Sequence, residues 1–445
     1  MKISSKSIKP RKTGIIYIFA KNISSFALTK AVTSMNPVAH IDANYFYGQI
    51  EALFRPDVRG KAFVVGGDQE SRKGIVLTKS PLAKKMGVKT GTSIREALKI
   101  NPHLIILPAN YGLYQHFSRR MREIVLGHTD TIKPFGSDEM WCQLYGNREQ
   151  AMKTVEDIRQ ALWKQLCLTV SIGVADNLPY AKLGSDLAPN NGVFEAWNED
   201  RESVVYPLPA SDLLYVGPKT AKRLESRGIC TIGDLAQNCP DYISEILKCK
   251  SGSYLWTMAN GLDKTTVAHT ESVDDVKSIG NSNTMPRDLN TDDDVRAAFY
   301  MLGESVCQKM RESGFQATTL EISIRDNELF SCTRQMRLQR PTNLAAEMVP
   351  LAMELFKRHY RWLNPIRSLG IRGSGLVPEG SIYQLSLFDD EEKREKQDRL
   401  ERNIDMIRGR FGQFSVQRGV IMKERLKSVN ANNDKGDAQL FYVYR

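Results

Sequence analysis

The 445-residue chain lacks the marks of several protein classes. It has seven cysteines, Cys142, Cys167, Cys230, Cys239, Cys249, Cys307 and Cys332, and no two of them form a C-x-x-C pair. No histidine spacing completes a zinc site. This excludes a zinc ribbon and a disulfide scaffold, and fits free thiols in a reducing, cytoplasmic setting. Long apolar runs are also missing. The run Ile15 to Ala20 is cut by Lys21 and Asn22, and nothing later reaches the length of a membrane helix. A soluble protein with no membrane partner is expected. No small-residue cleavage site follows that run, which argues against a secretory signal. Acids are absent from residues 1–36, which hold seven Lys or Arg. This basic, Ser-rich stretch is expected to be a disordered extension. The rest of the chain carries 55 basic against 51 acidic residues. Such a mildly basic body would need local patches to hold nucleic acid.

What is present is enough apolar residue, 41%, to build cores for about three or four domains. Pro37 to Asp42 reads as a buried strand ending in an acid. A helix Gln49 to Phe54, short strands at Val64-Val65 and Ile75 to Leu77, and a helix Ser80 to Met86 closed by Gly87 follow. Leu104 to Leu107 is a strand. Tyr111 to Leu126 is a helix, with Leu113, Phe117, Met121 and Ile124 at helical spacing. Strand Trp141 to Tyr145, helix Glu149 to Leu166, strand Leu168 to Val174 and helix Leu178 to Leu187 complete a pattern that suggests a ferredoxin-like α+β sheet. Residues between Gly48 and Leu107 would be an insertion. Small helices run from Leu208 to Leu262, and a polar linker follows. A second βαββαβ pattern starts at Lys277, with helices Asp292 to Glu312 and Leu344 to Tyr360. Beyond Leu376 the charge run Asp389 to Arg402 is expected to be a solvated helix face, with Ile404, Ile407 and Phe411 as a small apolar stripe.

One stretch stands out, Pro134 to Trp141. Its adjacent acids Asp138 and Glu139 sit at a hairpin or strand end. Neighbours on a strand point to opposite faces, so both can serve one site only where the backbone turns or where one of them reaches across an edge. Alone, such a pair fits a solvated acidic turn equally well.

The strings Asp42-Ala43-Asn44-Tyr45-Phe46-Tyr47, Ser137-Asp138-Glu139, Ser171-Ile172-Gly173-Val174 and Ala181-Lys182-Leu183-Gly184-Ser185-Asp186 supply the context. In order and spacing they resemble the Y-family DNA polymerases, most nearly the bacterial DinB (DNA polymerase IV) and UmuC-like group. The resemblance runs from residue 37 to the C-terminus. It implies a palm (37–47 and 108–207), small inserted fingers (48–107), a helical thumb (208–262), a linker (263–276), a little finger (277–375) and a tail (376–445). The implied activity is low-fidelity, template-directed DNA synthesis past damage, without proofreading, in DNA repair and the SOS response. The implied partners are primer–template DNA, deoxynucleoside triphosphates and a sliding clamp, with the polymerase itself a monomer.

Nucleotidyl transfer of this kind uses two Mg²⁺ ions about 3.5–4 Å apart. By resemblance Asp42 and Asp138 bridge them, Glu139 helps hold the primer-side ion, and the backbone carbonyl of Ala43 completes the nucleotide-side one. Lys182 would bind the triphosphate, with Tyr45 and Phe46 over it through backbone amides and rings. Thr78 and Lys84 would contribute from the fingers. Tyr47 matches the steric gate that rejects a 2′-hydroxyl.

Several positions depart from the family. Where T-x-x-Y-x-x-R-K is usual, this chain has Thr78 to Lys85 with Pro81 and Lys84. Proline has no hydroxyl and lysine cannot fork onto two phosphate oxygens. A weaker grip on the incoming nucleotide is expected. Ser137 stands where S-I-D-E has an apolar residue, which should alter packing more than metal ligands. The turn Val216-Gly217-Pro218-Lys219-Thr220 resembles a helix–hairpin–helix, in which Gly217, Lys219 and Thr220 would offer backbone amides to a DNA phosphate. Tyr215 replaces its usual first glycine. Arg325, Arg334, Arg337 and Arg340 would add DNA contacts, Arg334 and Arg340 on one sheet face and Arg337 on the other. Gln384, Leu385, Leu387 and Phe388 resemble a clamp-binding peptide. Two other readings compete: a catalytically weakened homologue that only binds DNA or the clamp, and a palm-type nucleotide cyclase. The second arises because Gly136 to Met140 resembles the G-G-D-E-F signature. The thumb turn, little finger and clamp-like peptide weigh against it.

Overall fold

The computed structural model describes residues 36–67, 74–248, 251–267, 276–383 and 390–423. The expected extension (1–35), most of the expected linker and the clamp-like peptide Gln384 to Phe388 lie outside the described residues.

In chain order the first half contains β1 (Val38–Ala43), α1 (Phe46–Phe54), β2 (Phe63–Gly66), β3 (Val76–Lys79), α2 (Pro81–Lys85), α3 (Ile94–Ile100), β4 (Ile105–Pro108) and α4 (Tyr111–Leu126). Next come β5 (Ile132–Phe135), β6 (Glu139–Gln143), α5 (Arg148–Leu166), β7 (Val170–Ala175), α6 (Leu178–Leu187) and β8 (Val193–Glu195). The main sheet has the order β5-β6-β1-β7-β8. Its β1-α4-β5-β6-α5-β7 path is the ferredoxin-like one. Alternation along β1 sets the layers. Ala39, Ile41 and Ala43 enter the core beneath α4 and α5, while Val38, His40 and Asp42 face the α6 side.

The inserted residues form their own sheet, order β3-β2-β4, with a small core of Val64, Val76, Ala83, Val88, Ile94, Ala97 and Leu104. Pro81, a departure from the family pattern, sits at the first position of α2, where its missing N–H costs nothing. Ser80 caps that helix by accepting from Ala83 N at 3.2 Å.

Short helices follow: α7 (Pro218–Glu225), α8 (Ile232–Gln237), α9 (Pro240–Leu247) and α10 (Ser251–Ala259). They share one core with α6 and with Trp141 of β6.

The second sheet is built from β9 (Ser278–Leu289), α11 (Asp292–Glu312), β10 (Phe315–Asp326), β11 (Ser331–Thr342), α12 (Ala345–His359) and β12 (Ile366–Pro378). The element order βαββαβ is as expected. The strand order, β11-β10-β12-β9, is not that of the main sheet, because β10 and β12 pair with each other in the middle. The repeat is one of element order, not of topology.

The tail helix α13 (Glu391–Phe411) corrects an expectation. Only part of its charge forms the expected solvated face, where Glu392 and Lys396 stay exposed, and the other side of the helix is engaged. Arg311 of α11 donates to Glu401 and Asp405, both at 2.8 Å, and Arg311 and Glu401 each keep only 4% of their side-chain surface. Glu401 also accepts from Ala345 N and Ala346 N at 2.9 and 3.0 Å, capping α12, which has no side-chain cap of its own. Arg408 reaches Glu304 at 2.7 Å. Ile407 and Phe411 of the expected apolar stripe are exposed instead.

Candidate active site

The acids are brought together by strand register and one turn. Asp42 pairs directly with Glu139 across β1 and β6, and with Ser171 across β1 and β7. Paired residues in an antiparallel ladder share a face, so the two carboxylates project together. Asp138 precedes β6 in a turn that Gly136 makes with φ of +84°. The turn is pinned twice. Arg122 donates to Gly136 O at 2.9 Å, and Ala43 N donates to Asp138 O at 3.0 Å. The adjacent acids therefore reach one site because the backbone leaves the strand between them.

Helix α6 closes over this face through two glycines. A Cβ on Gly173 would meet Ala181 O at 2.0 Å and Ser185 N at 2.2 Å, so the helix backbone rests on the strand. Gly184 lies opposite, 3.0 Å from the Gly173 Cα by the same measure. This close approach brings Lys182 down to the acids. Its Nζ is 3.1 Å from Asp42 Oδ2, 3.1 Å from Glu139 Oε2 and 2.9 Å from Asp186 Oδ1. His40 is fully buried below, with Nδ1 2.8 Å from Ser185 Oγ and Nε2 3.4 Å from Glu139 Oε2. Neither His40 nor the two glycines were marked as site-forming by the sequence. The signal was there as His40 one alternation before Asp42 and as glycines in the S-I-G-V and K-L-G-S strings.

The electrostatics are those of crowded acids. Burial, then the charge of Glu139, raises Asp42 above the ordinary carboxylate range. The same two causes push Asp138 up to about 6. Burial also works against ionising Glu139, but His40 and Lys182 outweigh it and hold that carboxyl low. Burial alone would discharge Lys182, yet Glu139, Asp42 and Asp186 hold it charged. Burial keeps His40 neutral. Glu139 Oε2 is buried, and its contacts with Lys182 and His40 are not aligned as hydrogen bonds. Three acids with one lysine and an under-used carboxylate oxygen fit a hard divalent cation. Among the described residues no group of three or more His, Cys, Asp or Glu is arranged to hold a metal ion by itself. An open donor set suits Mg²⁺, which keeps waters and takes substrate phosphate oxygens.

The loop after Asp42 is also fixed. Asn44 donates to Ser171 Oγ at 2.8 Å and accepts from Asn191 N at 3.1 Å, while Gln49 bonds both backbone groups of Thr169. Tyr45 takes a left-handed φ of +34° at the start of α1. Phe46 is 2% exposed in the core beneath the sheet, so it can offer a ligand its first-turn amide but not its ring. That corrects the expectation of ring contact. Tyr47 stacks on the buried Tyr114, with centroids 4.3 Å apart and planes at 17°. Tyr114 in turn donates to Glu51 Oε1 at 2.5 Å.

Comparison with known proteins decides the family. The impB/mucB/samB family matches residues 41–186, and its C-terminal domain matches residues 276–387. DNA polymerase IV of Acetivibrio thermocellus is 39% identical over 394 residues, covering 87% of this chain and 98% of that one. DNA polymerase IV of Bacillus velezensis is 33% identical over 390 residues, covering 87% and 93%. The chain belongs to the Y-family DNA polymerases, in their DinB/UmuC-like branch. A solved chimeric Y-family DNA polymerase (Dbh–Dpo4–Dbh) shares the fold, with a TM-score of 0.69 at 22% identity over 77% of this chain and 100% of that one.

The remaining candidate residues of this polymerase lie on other elements. Thr78 is the last but one residue of β3, before Lys79, and Lys84 is on α2. Lys79 donates to Thr90 Oγ1 at 2.9 Å, and burial, then the charge of Lys84, lowers its pKa. The fingers thus carry a close pair of lysines where the sequence suggested one. Gly217 is the cap residue of α7, and Lys219 and Thr220 lie in its first turn. Tyr215 adopts φ of +70°, the conformation a glycine would take there without strain, and its ring is exposed. Arg325 and Arg337 share the open face of the second sheet, opposite the buried Leu320, Ile322 and Ile324. Arg334 is level with Ile322 and so lies on the helix side of the edge strand. Arg340 is engaged with Glu347 and Glu391 at 3.0 and 2.6 Å. It tethers helices α12 and α13, which corrects its expected place at DNA.

Proposed function

We propose that this Y-family polymerase performs template-directed synthesis past damaged bases at the Asp42–Asp138–Glu139 cluster, with two Mg²⁺ ions. The pairing of Asp42 with Glu139 under Lys182, with Asp138 in the turn beside them, carries this reading. When bound, the ions would supply Lewis-acid stabilisation of the attacking and leaving oxygens. Asp42, Asp138, Glu139 and the backbone carbonyl of Ala43 would hold them. Lys182 neutralises part of this charge and would offer its ammonium to the triphosphate. The first-turn amides of α1, with Lys84, Lys79 and Thr78 of the fingers, would hold the phosphates. Tyr47, braced by Tyr114, would lie against the sugar and exclude a 2′-hydroxyl.

The DNA grip divides between the α7 N-terminus and the open face of the second sheet, with Arg325 and Arg337 toward the backbone. The first half would then be palm and fingers, residues 208–262 the thumb and 277–375 the little finger. A sliding clamp is the proposed partner of Gln384 to Phe388. Free cysteines among the described residues fit a reducing compartment such as the cytoplasm. No helix of the described residues is long and apolar enough to cross a membrane.

Primer extension with Mg²⁺ on undamaged and abasic templates tests the proposal. Extension on the first and insertion opposite the lesion on the second are expected. No extension on either contradicts it.

A further inference from the structure

Ser137 is the family departure that the proposed chemistry does not use. Its hydroxyl lies between two groups of unequal kind. Oγ donates to Asp138 Oδ1 at 3.2 Å, and it is 3.3 Å from the hydroxyl of Tyr47. A serine has one proton to give and two lone pairs. Asp138 Oδ1 accepts from Ser137, so the one Ser137 proton is given there. The Tyr47 hydroxyl is then the donor to Ser137. The result is a directed chain, Tyr47 O–H to Ser137 O–H to Asp138, in which each link polarises the next. The Tyr47 ring is held on its flat side by Tyr114 at 4.3 Å and at an edge by Tyr111 at 6.1 Å. Ser137 therefore ties the hydroxyl end of this ring to the acid turn. An apolar residue at 137 could pack there but could not make the link.

We infer that Ser137 is a positioning residue for sugar selection, fixing the distance from the Tyr47 ring to the Asp138 carboxylate through the shared hydroxyl. The inference rests on the polymerase reading above. A gate hung from the acid turn cannot recede when a ribonucleotide presses on it. A gate without that link can pivot on the Tyr114 stack and admit the 2′-hydroxyl.

The test compares dATP with ATP on the full chain bound to primer–template. Discrimination is read in two ways: as the ratio of kcat/KM in single-nucleotide incorporation, and as the ratio of Kd with a dideoxy-terminated primer, where no bond forms. Ser137→Ala and Ser137→Leu are each expected to lower discrimination about tenfold, the size of one net hydrogen bond. The change should appear as tighter ATP binding, with the Kd for dATP little altered. Ser137→Thr keeps the hydroxyl and should keep the wild-type ratio. Tyr47→Phe should match Ser137→Ala, and the double variant should be no worse than either single one, because both remove the same link. Wild-type discrimination in Ser137→Ala and Tyr47→Phe, or additive losses in the double variant, would overturn the inference while leaving the polymerase reading intact. A wild type that extends no primer would overturn both.

Discussion

Asp42 and Glu139 stand directly opposite each other in the antiparallel register of β1 and β6. Their chain separation is large, but a ladder pair has Cβ atoms only about 4.5–5.5 Å apart. The pairing makes a site out of two acids that sequence alone shows as separate strand ends. Asp138 joins them only because Gly136 turns the chain just before β6.

The helix that carries Lys182 reaches this pair over Gly173, where any side chain would strike Ala181 O and Ser185 N. Gly173→Ala is expected to destabilise the fold by about 3 kcal/mol, at the upper end for overpacking. It should also lift Lys182 from the acids. Denaturant unfolding checks the first effect. A variant as stable as the wild type would show that the helix can slide away at no cost.

Metal and proton compete for the acids. Asp42 and Asp138 are both raised from the ordinary 3.8, Asp138 to about 6, so the folded protein keeps protons that the unfolded chain releases. Their contribution to stability is complete at low pH and is lost as pH rises through the raised values. Mg²⁺ binds only the ionised form and should restore it. Lys182 stays charged throughout this window. His40, depressed by burial, has the opposite slope below 6.5, which adds to the loss of stability on the acid side. The rise in Tm on adding Mg²⁺ should be larger at about pH 8 than at about pH 5.5. An equal rise at both would contradict the metal assignment.

Much of this was legible before any coordinates. The helical spacing of Tyr111–Leu126 gave that helix at its observed bounds, and Leu178–Leu187 and Asp292–Glu312 were also read at theirs. Period is a local property, and it survives folding unchanged. The strand order of the second sheet was not legible, because βαββαβ fits more than one order and long-range pairing chooses between them. The tail helix misled for a related reason. A run of Arg and Glu looks the same whether water or other charges surround it, and only the tertiary partners of Arg311 and Glu401 separate the cases. Phe46 illustrates a third limit. It stands beside residues of the site, yet it faces the core because the helix begins there.

Glu401 accepts from Arg311 and from the first amides of α12, all out of water. Removing one partner of a buried pair leaves the other charge uncompensated. Glu401→Ala is therefore expected to cost about 3–5 kcal/mol in the unfolding of the second sheet domain. Calorimetry of the full chain checks this. A loss below about 1 kcal/mol would place the helix in solution as a loosely held surface element.

Thiol reactivity tests the layering. Cys142 is fully buried, with its thiol pushed up to about 12, and Cys307 is raised well above the ordinary value by the same burial. Cys167, Cys230 and Cys239 are exposed. Reaction requires the thiolate and access. Alkylation of the native protein, read by mass spectrometry, should mark the exposed three and spare Cys142 and Cys307 until denaturant is added. Native labelling of Cys142 at the rate of Cys230 would contradict the sheet as described.

Asp138, the turn acid beside Ser137, would be a catalytic metal ligand. Asp138→Asn keeps the shape and removes the charge. Single-turnover primer extension by this variant, with primer–template binding measured in parallel, is the direct test. A fall in extension rate of at least about 10³-fold is expected, worth some 4 kcal/mol of transition-state stabilisation, with DNA binding retained. Extension within about tenfold of the wild type would contradict it.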